Sequence, residues 1–241
     1  MQAGCTLSFV SDVFAAGLNG GTVDGMAVHG NMMVVTYGDG SIESFNTSAG
    51  VPVSNGDQQY STGSVDDHLP NSVIITRDGH YAIFGDASTR TTVEVSDISS
   101  GKLTPSIAYS LGPAWNSGSI SLSADEKLLY VSNTSGAQVT VAFFDNTTGV
   151  VRQGCTSSTL AGYYSKFVYA GNIRLQNATG HGGMIYVPEF GTGGKSFIAL
   201  LQLTVSGSTC TVAEAPGSPV TGPARGATVL SIAAYPTGLP F

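Results

Sequence analysis

The sequence predicts an all-β fold, a β-propeller built from four-stranded antiparallel blades, with about five blades' worth of strands present. Three observations predict it. Short apolar strands recur with a period near fifty residues, and they are rich in Val, Ile, Tyr and Phe. Gly, Asp, Asn and Ser bound them. A glycine, or in one unit its equivalent, falls at the same two points of each period, and four strands per period is the grammar of a propeller blade.

Four stretches carry the repeat. They are GMAVHGNMMVVTYGDGSIESFNTSAG at 25–50, NSVIITRDGHYAIFGDASTRTTVEVSDISSG at 71–101, SGSISLSADEKLLYVSNTSGAQVTVAFFDNTTG at 117–149 and GNIRLQNATGHGGMIYVPEFGTGGKSFIALLQLTVSG at 171–207. Each reads as strand, tight polar turn, strand, loop, alternating strand and a Ser/Thr-Gly turn. A more polar outer strand follows, at 104–110, 150–157 and 209–214 in the last three units. The first turn falls at Gly30, Gly79, Glu126 and about Gly182, and the second at Gly50, Gly101, Gly149 and Gly207. Whole blades are expected near 25–57, 71–110, 117–160 and 171–215, within one propeller domain over 1–241. The fourth is longer because Ala178–Gly183 and Gly191–Lys195 enlarge its loops.

Residues 3–10 read as a further outer strand and 228–235 as a terminal apolar strand. A start inside a strand leads to the expectation of a partial chain, with any signal peptide outside it. Cys5, Cys155 and Cys210 all fall on fourth strands of different blades. Such strands are expected to lie beyond the roughly 7 Å Cα separation that a bridge tolerates, so three free thiols are expected.

Composition excludes several classes. With 241 residues and 41% hydrophobic content the chain can bury a core and is not a disordered tail. No run of 18 apolar residues occurs, so no membrane span is expected. A net charge of −7, with nine Lys and Arg scattered along the chain, argues against nucleic acid as a partner. Sparse Lys with abundant Ser, Thr and Gly suits an extracellular or periplasmic protein. The expected partner is a small molecule, a carbohydrate or another protein, met by a monomer. No cofactor or metal is expected.

In a propeller, the loops that lead into the first strand and those between second and third share one face. These loops hold Trp115 and the aromatics Tyr60, Tyr163, Tyr164, Phe167, Tyr169 and Phe190, whose flat faces can stack on a sugar or an apolar ligand. The alternative is that they plug gaps between blades. Arg225, just before the last strand, is the candidate anion contact. Asp66, Asp67 and His68 form the densest polar trio, without the spaced partner that a metal site needs. His29, His80 and His181 fall on first turns, at the opposite face. Asn46, Asn133, Asn146 and Asn177 each open an Asn-x-Ser/Thr sequon.

Two segments, HLPNSVIITRDGHYAIFGD at 68–86 and SISLSADEKLLYVSNTSGAQVTVAFFDNTTG at 119–149, carry a family likeness. They resemble blades of the lactonase-like, YVTN-type seven-bladed β-propellers, a group with 6-phosphogluconolactonase-like and carboxymuconate-cyclase-like members. The resemblance implies a ring of seven blades and a central pocket lined by His, Arg and Glu. The family's His, just before the Ser-Val of a first strand, is matched here by Asn71, and His68 stands three residues earlier. Gly112-Pro113-Ala114-Trp115 has no Arg where a Gly-Pro-Arg loop would supply one, and Phe190 follows Glu189 where an Arg is expected. Asn71 can donate a hydrogen bond but cannot shuttle a proton near neutral pH. The leading reading is therefore a binding or interaction scaffold that lacks the catalytic residues. The alternative is a lactonase or related sugar-acid hydrolase that uses His68, Asn71, Glu189 and Arg225. A third reading is a cell-surface module repeated in tandem.

Overall fold

A computed structural model describes residues 20–60, 70–86, 92–112, 117–133, 138–160, 174–175, 179–181, 183–191 and 195–221. They contain no helix and form four antiparallel sheets in chain order. The first blade holds β1 (Val23–His29), β2 (Met32–Tyr37), β3 (Ser41–Asn46) and an outer strand in two pieces, β4 (Val53–Ser54) and β5 (Gln59–Tyr60). The second holds β6 (Pro70–Ile75), β7 (Tyr81–Asp86), β8 (Thr92–Asp97) and β9 (Ile107–Ser110). In the third are β10 (Ser117–Leu122), β11 (Leu128–Asn133), β12 (Gln138–Asp145) and β13 (Val150–Thr156). The fourth has an inner strand in two pieces, β14 (Arg174–Leu175) and β15 (Thr179–His181), followed by β16 (Met184–Gly191) and β17 (Lys195–Ser206). Its outer strand is also split, into β18 (Thr209–Glu214) and β19 (Val220–Thr221). The innermost strands β1, β6, β10 and β14 lie next to one another in that order. Four meanders arranged this way are blades of a β-propeller.

The blades pack through their faces, as the alternating apolar residues require. Val34 and Ile42 of blade 1 meet Val73, Ala82, Phe84, Ile98 and Leu103 of blade 2. Ile83, Val93 and Val95 of blade 2 meet Ile120, Leu129, Val131, Ala142 and Phe144 of blade 3. Tyr130, Val139 and Val141 of blade 3 close against Ile185, Val187, Ala199 and Leu201 of blade 4. Odd and even residues of one strand therefore serve different neighbours, so a register slip of one residue would exchange them.

The turns repeat as closely as the strands. Positive φ falls at Gly30, Gly79, Glu126 and Gly183 in the first turn, and at Gly50, Gly101, Gly149 and Gly207 after the third strand. Thr76 and Ser123 donate to Asp78 Oδ1 at 2.6 Å and Asp125 Oδ1 at 2.7 Å, and accept the N–H of Tyr81 and Leu128. The first turns are also tied to one another. His29 Nε2 lies 2.8 Å from Arg77 O, while the Arg77 N–H donates to Glu126 Oε1 at 2.6 Å and Arg77 Nη2 donates to Ala124 O at 2.9 Å. His29 and His80 are exposed, at the face where the sequence puts them, but His29 is a strap between blades 1 and 2.

A Cβ on Gly30 would meet nothing within 4 Å, whereas one on Gly79 would come 2.5 Å from His29 Nδ1. Gly30→Ala should therefore cost about 1 kcal/mol for the left-handed backbone alone. Gly79→Ala should cost about 2 kcal/mol, because it also displaces the strap. Urea midpoints of the two variants check the difference.

The expectation of three free thiols is wrong. Cys155 and Cys210 form a disulfide between β13 and β18, with a Cα–Cα separation of 5.5 Å. The reason is local. In the β12–β13 ladder Val141 faces Cys155 and Ala142 faces Gln153, which leaves Gly154 as the extra residue of a β-bulge. The bulge bends β13, and a Cβ on Gly154 would lie 2.9 Å from Cys210 Sγ. Only a glycine lets the two outer strands approach. Cys5 lies outside the described residues.

Blades 1 and 2 are fastened differently. Between β4 and β5 the chain reaches across to blade 2: Asn55 Nδ2 donates to Gly101 O at 3.1 Å and Asp57 Oδ2 accepts the Leu103 N–H at 2.8 Å. Gln59 Nε2 donates to Thr104 O at 2.9 Å. These three alternate residues act as a ladder of side chains where backbone pairing is interrupted.

Candidate functional site at the channel mouth

Strand direction fixes which end of each sheet is the mouth. First strands begin there and second strands end there, so Val23 pairs with Tyr37, Pro70 with Asp86, Ser117 with Asn133 and Arg174 with Phe190. At this end three inner strands share one irregularity. The register shifts between Val23 and Gly25, between Pro70 and Ser72, and between Ser117 and Ser119. Asp24, Asn71 and Gly118 are thus the bulged residues of three consecutive blades. In blade 4 the split strand β14/β15 carries the same one-residue excess against β16. Bulges re-aim a side chain and concentrate beside binding sites.

Asn71, where the sequence resemblance implies a His, therefore stands on a bulge of an innermost strand. Glu189 and Phe190 stand at the mouth end of β16, between β14 and β17. Tyr60 lies on β5, paired with Ser41, at the same end but on the outer strand. Three strand spacings separate β5 from β1, about 14 Å. His68, Trp115, Tyr163, Tyr164, Phe167, Tyr169 and Arg225 lie outside the described residues, as do Asp66 and Asp67. Among the described residues no three His, Cys, Asp or Glu side chains are grouped to hold a metal ion. No helix among them is long and apolar enough to cross a membrane.

Sequence reasoning missed Asp24. Its signal was faint, because a bulge is a property of pairing and not of residue type. The Asp24 carboxylate lies beside Thr22 Oγ1 and Gly38: a Cβ on Gly38 would come 3.3 Å from Asp24 Oδ2 and 3.4 Å from Thr22 Oγ1. Partial burial raises the Asp24 pKa above the ordinary carboxylate range. The side chain still keeps contact with solvent.

Other acids near this region are structural ties. Glu43 and Glu94 are buried at matching points of β3 and β8. Glu43 accepts the Tyr37 hydroxyl at 3.1 Å and the Ser54 hydroxyl, and Glu94 accepts the Ser106 hydroxyl at 2.5 Å. Burial first, and the Glu43 charge second, push the Tyr37 phenol well above its usual value. At the opposite end of the sheets a cleft of about 270 Å³ opens between blades 1 and 2, lined by His29, Asn31, Met32, Asn46, Asn55 and Ser99 among others.

That end also carries the turn acids. Hydrogen bonds from Ser99 to Asp97, from Ser123 to Asp125 and from the Thr147 N–H to Asp145 hold these carboxyls below their usual range. At Asp78 burial opposes the shift, but the Thr76 hydroxyl and the His80 N–H outweigh it. A depressed folded pKa contributes stability above the unfolded value of about 3.9, and that stability is lost as pH falls through the folded pKa. The melting temperature should stay level from pH 6 to about 4 and fall below that, with a shallower fall in Asp78→Asn/Asp125→Asn.

No family model and no curated protein matches the chain. Solved structures do. A protein of Bacteroides fragilis described as a putative 6-phosphogluconolactonase superposes with a TM-score of 0.58 at 17% identity, over 78% of this chain and 55% of the other. A second protein of that description, from Bacteroides uniformis, gives 0.60 at 14% identity, again over 78% and 55%. A chain of the mitotic checkpoint complex gives 0.53 at 15% identity, over 85% of this chain and 53% of its own length. The chain thus spans little more than half the length of the structures it resembles. At these identities the likeness is one of fold, and it agrees with the sheets described above: four blades of a β-propeller.

Proposed function

We propose that the chain is a binding or interaction scaffold that works from its channel mouth, lactonase-like in fold and without hydrolytic activity. One observation carries the reading. Asn71, where the resemblance implies a His, stands on the bulge of an innermost strand, and its counterparts in the flanking blades are Asp24 and Gly118. A carboxylate, an amide and a glycine supply acceptors, donors and room. They can exchange hydrogen bonds with hydroxyls or peptide groups, and they lack the imidazole that the resemblance implies for proton transfer. Trp115, Tyr163, Tyr164 and Phe190 would add stacking surface and Arg225 an anion contact, whereas Tyr60, on the outer strand, stands apart from the innermost strands. The inter-blade disulfide favours an oxidising, extracellular or periplasmic setting.

The rival reading, a lactonase using His68, Asn71, Glu189 and Arg225, is favoured by the shape it shares with the two Bacteroides proteins. One assay separates them. With glucono-δ-lactone and muconolactone, the protein should not raise the rate above spontaneous hydrolysis. Turnover that Arg225→Ala or Asn71→Ala abolishes would establish the hydrolase instead.

A further inference from the structure

We propose that Asn46 and Asn146 are acceptors of N-linked glycans, which makes the end of the sheets opposite the channel mouth the sugar-bearing one. Each opens a sequon, Asn46-Thr47-Ser48 and Asn146-Thr147-Thr148. The structure adds that the two occupy the same place in the repeat. Asn46 ends β3 and Asn146 follows the last residue of β12, so both sit at the turn from third to fourth strand, in blades 1 and 3. Both side chains are exposed. Asn46 Oδ1 accepts the Ser48 N–H at 2.8 Å, which engages the oxygen and leaves Nδ2, the atom that takes a glycan, without a hydrogen bond among the described residues. The Asn146 side chain makes no hydrogen bond among the described residues. Gly50 and Gly149, both at positive φ, close the two turns, and Asn46 also borders the cleft between blades 1 and 2.

A second observation, independent of the sequons, concerns the compartment. The Cys155–Cys210 bond needs an oxidising environment, and the lumen that forms such bonds in a eukaryotic secretory pathway is also where N-glycans are added. In the transfer, Asn Nδ2 forms a bond to the anomeric carbon of a lipid-diphosphate-linked oligosaccharide. The bond from that carbon to the diphosphate breaks, the lipid diphosphate leaves with the electron pair, and the amide gives up one proton. Asn133 differs, since it ends β11 at the mouth, paired with Ser117 and Gln138.

The test is secretion of the full chain from yeast or insect cells, followed by enzymatic deglycosylation in ¹⁸O-water and peptide mapping. Isotope label is expected at positions 46 and 146. Asn46→Gln and Asn146→Gln should each remove one glycan step on a gel, and the double variant both. Mapping of the unaltered protein decides the matter even where a variant is poorly secreted. Secreted protein without label at either position, with label at only one of them, or with label confined to Asn133 and Asn177, overturns the proposal. None of these results depends on whether the mouth binds or hydrolyses a ligand.

Discussion

Phe84→Ala lowers the stability of the fold by about 3–5 kcal/mol, the usual cost of emptying a fully buried aromatic site. Phe84 is 0% exposed, on β7 in the middle of blade 2, and its ring fills the layer between that blade and Val34 and Ile42 of blade 1. The void cannot collapse easily. His29–Arg77 straps the blades at one end, and Asn55, Asp57 and Gln59 tie the outer edge to Gly101, Leu103 and Thr104. Phe84→Leu, which keeps most of the volume, should recover more than half of the loss. Chemical denaturation with a common m-value checks both. A loss under 1 kcal/mol for the alanine variant would show that the two blades do not share a core.

Cys155→Ser should cost about 4 kcal/mol on the chain-entropy estimate for a loop closed over 55 residues, with 2 kcal/mol as a lower figure if the reduced chain keeps residual structure. Most of that loss should also follow reduction of the unaltered protein. Gly154→Ala leaves both thiols in place. Its Cβ would sit 2.6 Å from Val141 O and 2.9 Å from Cys210 Sγ, so it should destabilise by forcing the bulge apart. Equal melting temperatures for the oxidised and reduced protein would contradict this account.

Much of the architecture was legible in the sequence because sterics leave few choices. A tight turn that needs positive φ selects Gly at 30 and 79, and the period could be counted from those residues with Glu126 as the exception, while the fourth turn, counted at about Gly182, has its positive φ one residue later at Gly183. Strand alternation was equally plain. What was hidden depended on pairing. Between β4 and β5 the Asp57 carboxylate takes the Ser44 N–H in place of a backbone partner, while Asn55, Asp57 and Gln59 bond to the next blade, and nothing in their composition announces it. The bulges at Asp24, Asn71 and Gly118 were hidden for the same reason, since three unlike residues share one register. The disulfide was misjudged because outer strands were treated as evenly splayed, and one bulge at Gly154 removes that spacing. Of the proposed site, Asn71 was found through its motif, whereas Asp24 needed the ladder.

The central claim is that consecutive sheets stand face to face with like strands adjacent, which brings the fourth strands of blades 3 and 4 together. Peptide mapping under non-reducing conditions, after alkylation of free thiols, tests it most directly. A single cross-linked pair of peptides containing Cys155 and Cys210, with Cys5 alkylated, is the predicted result. Alkylation of Cys155 and Cys210 without prior reduction, or either of them joined to Cys5, would contradict it.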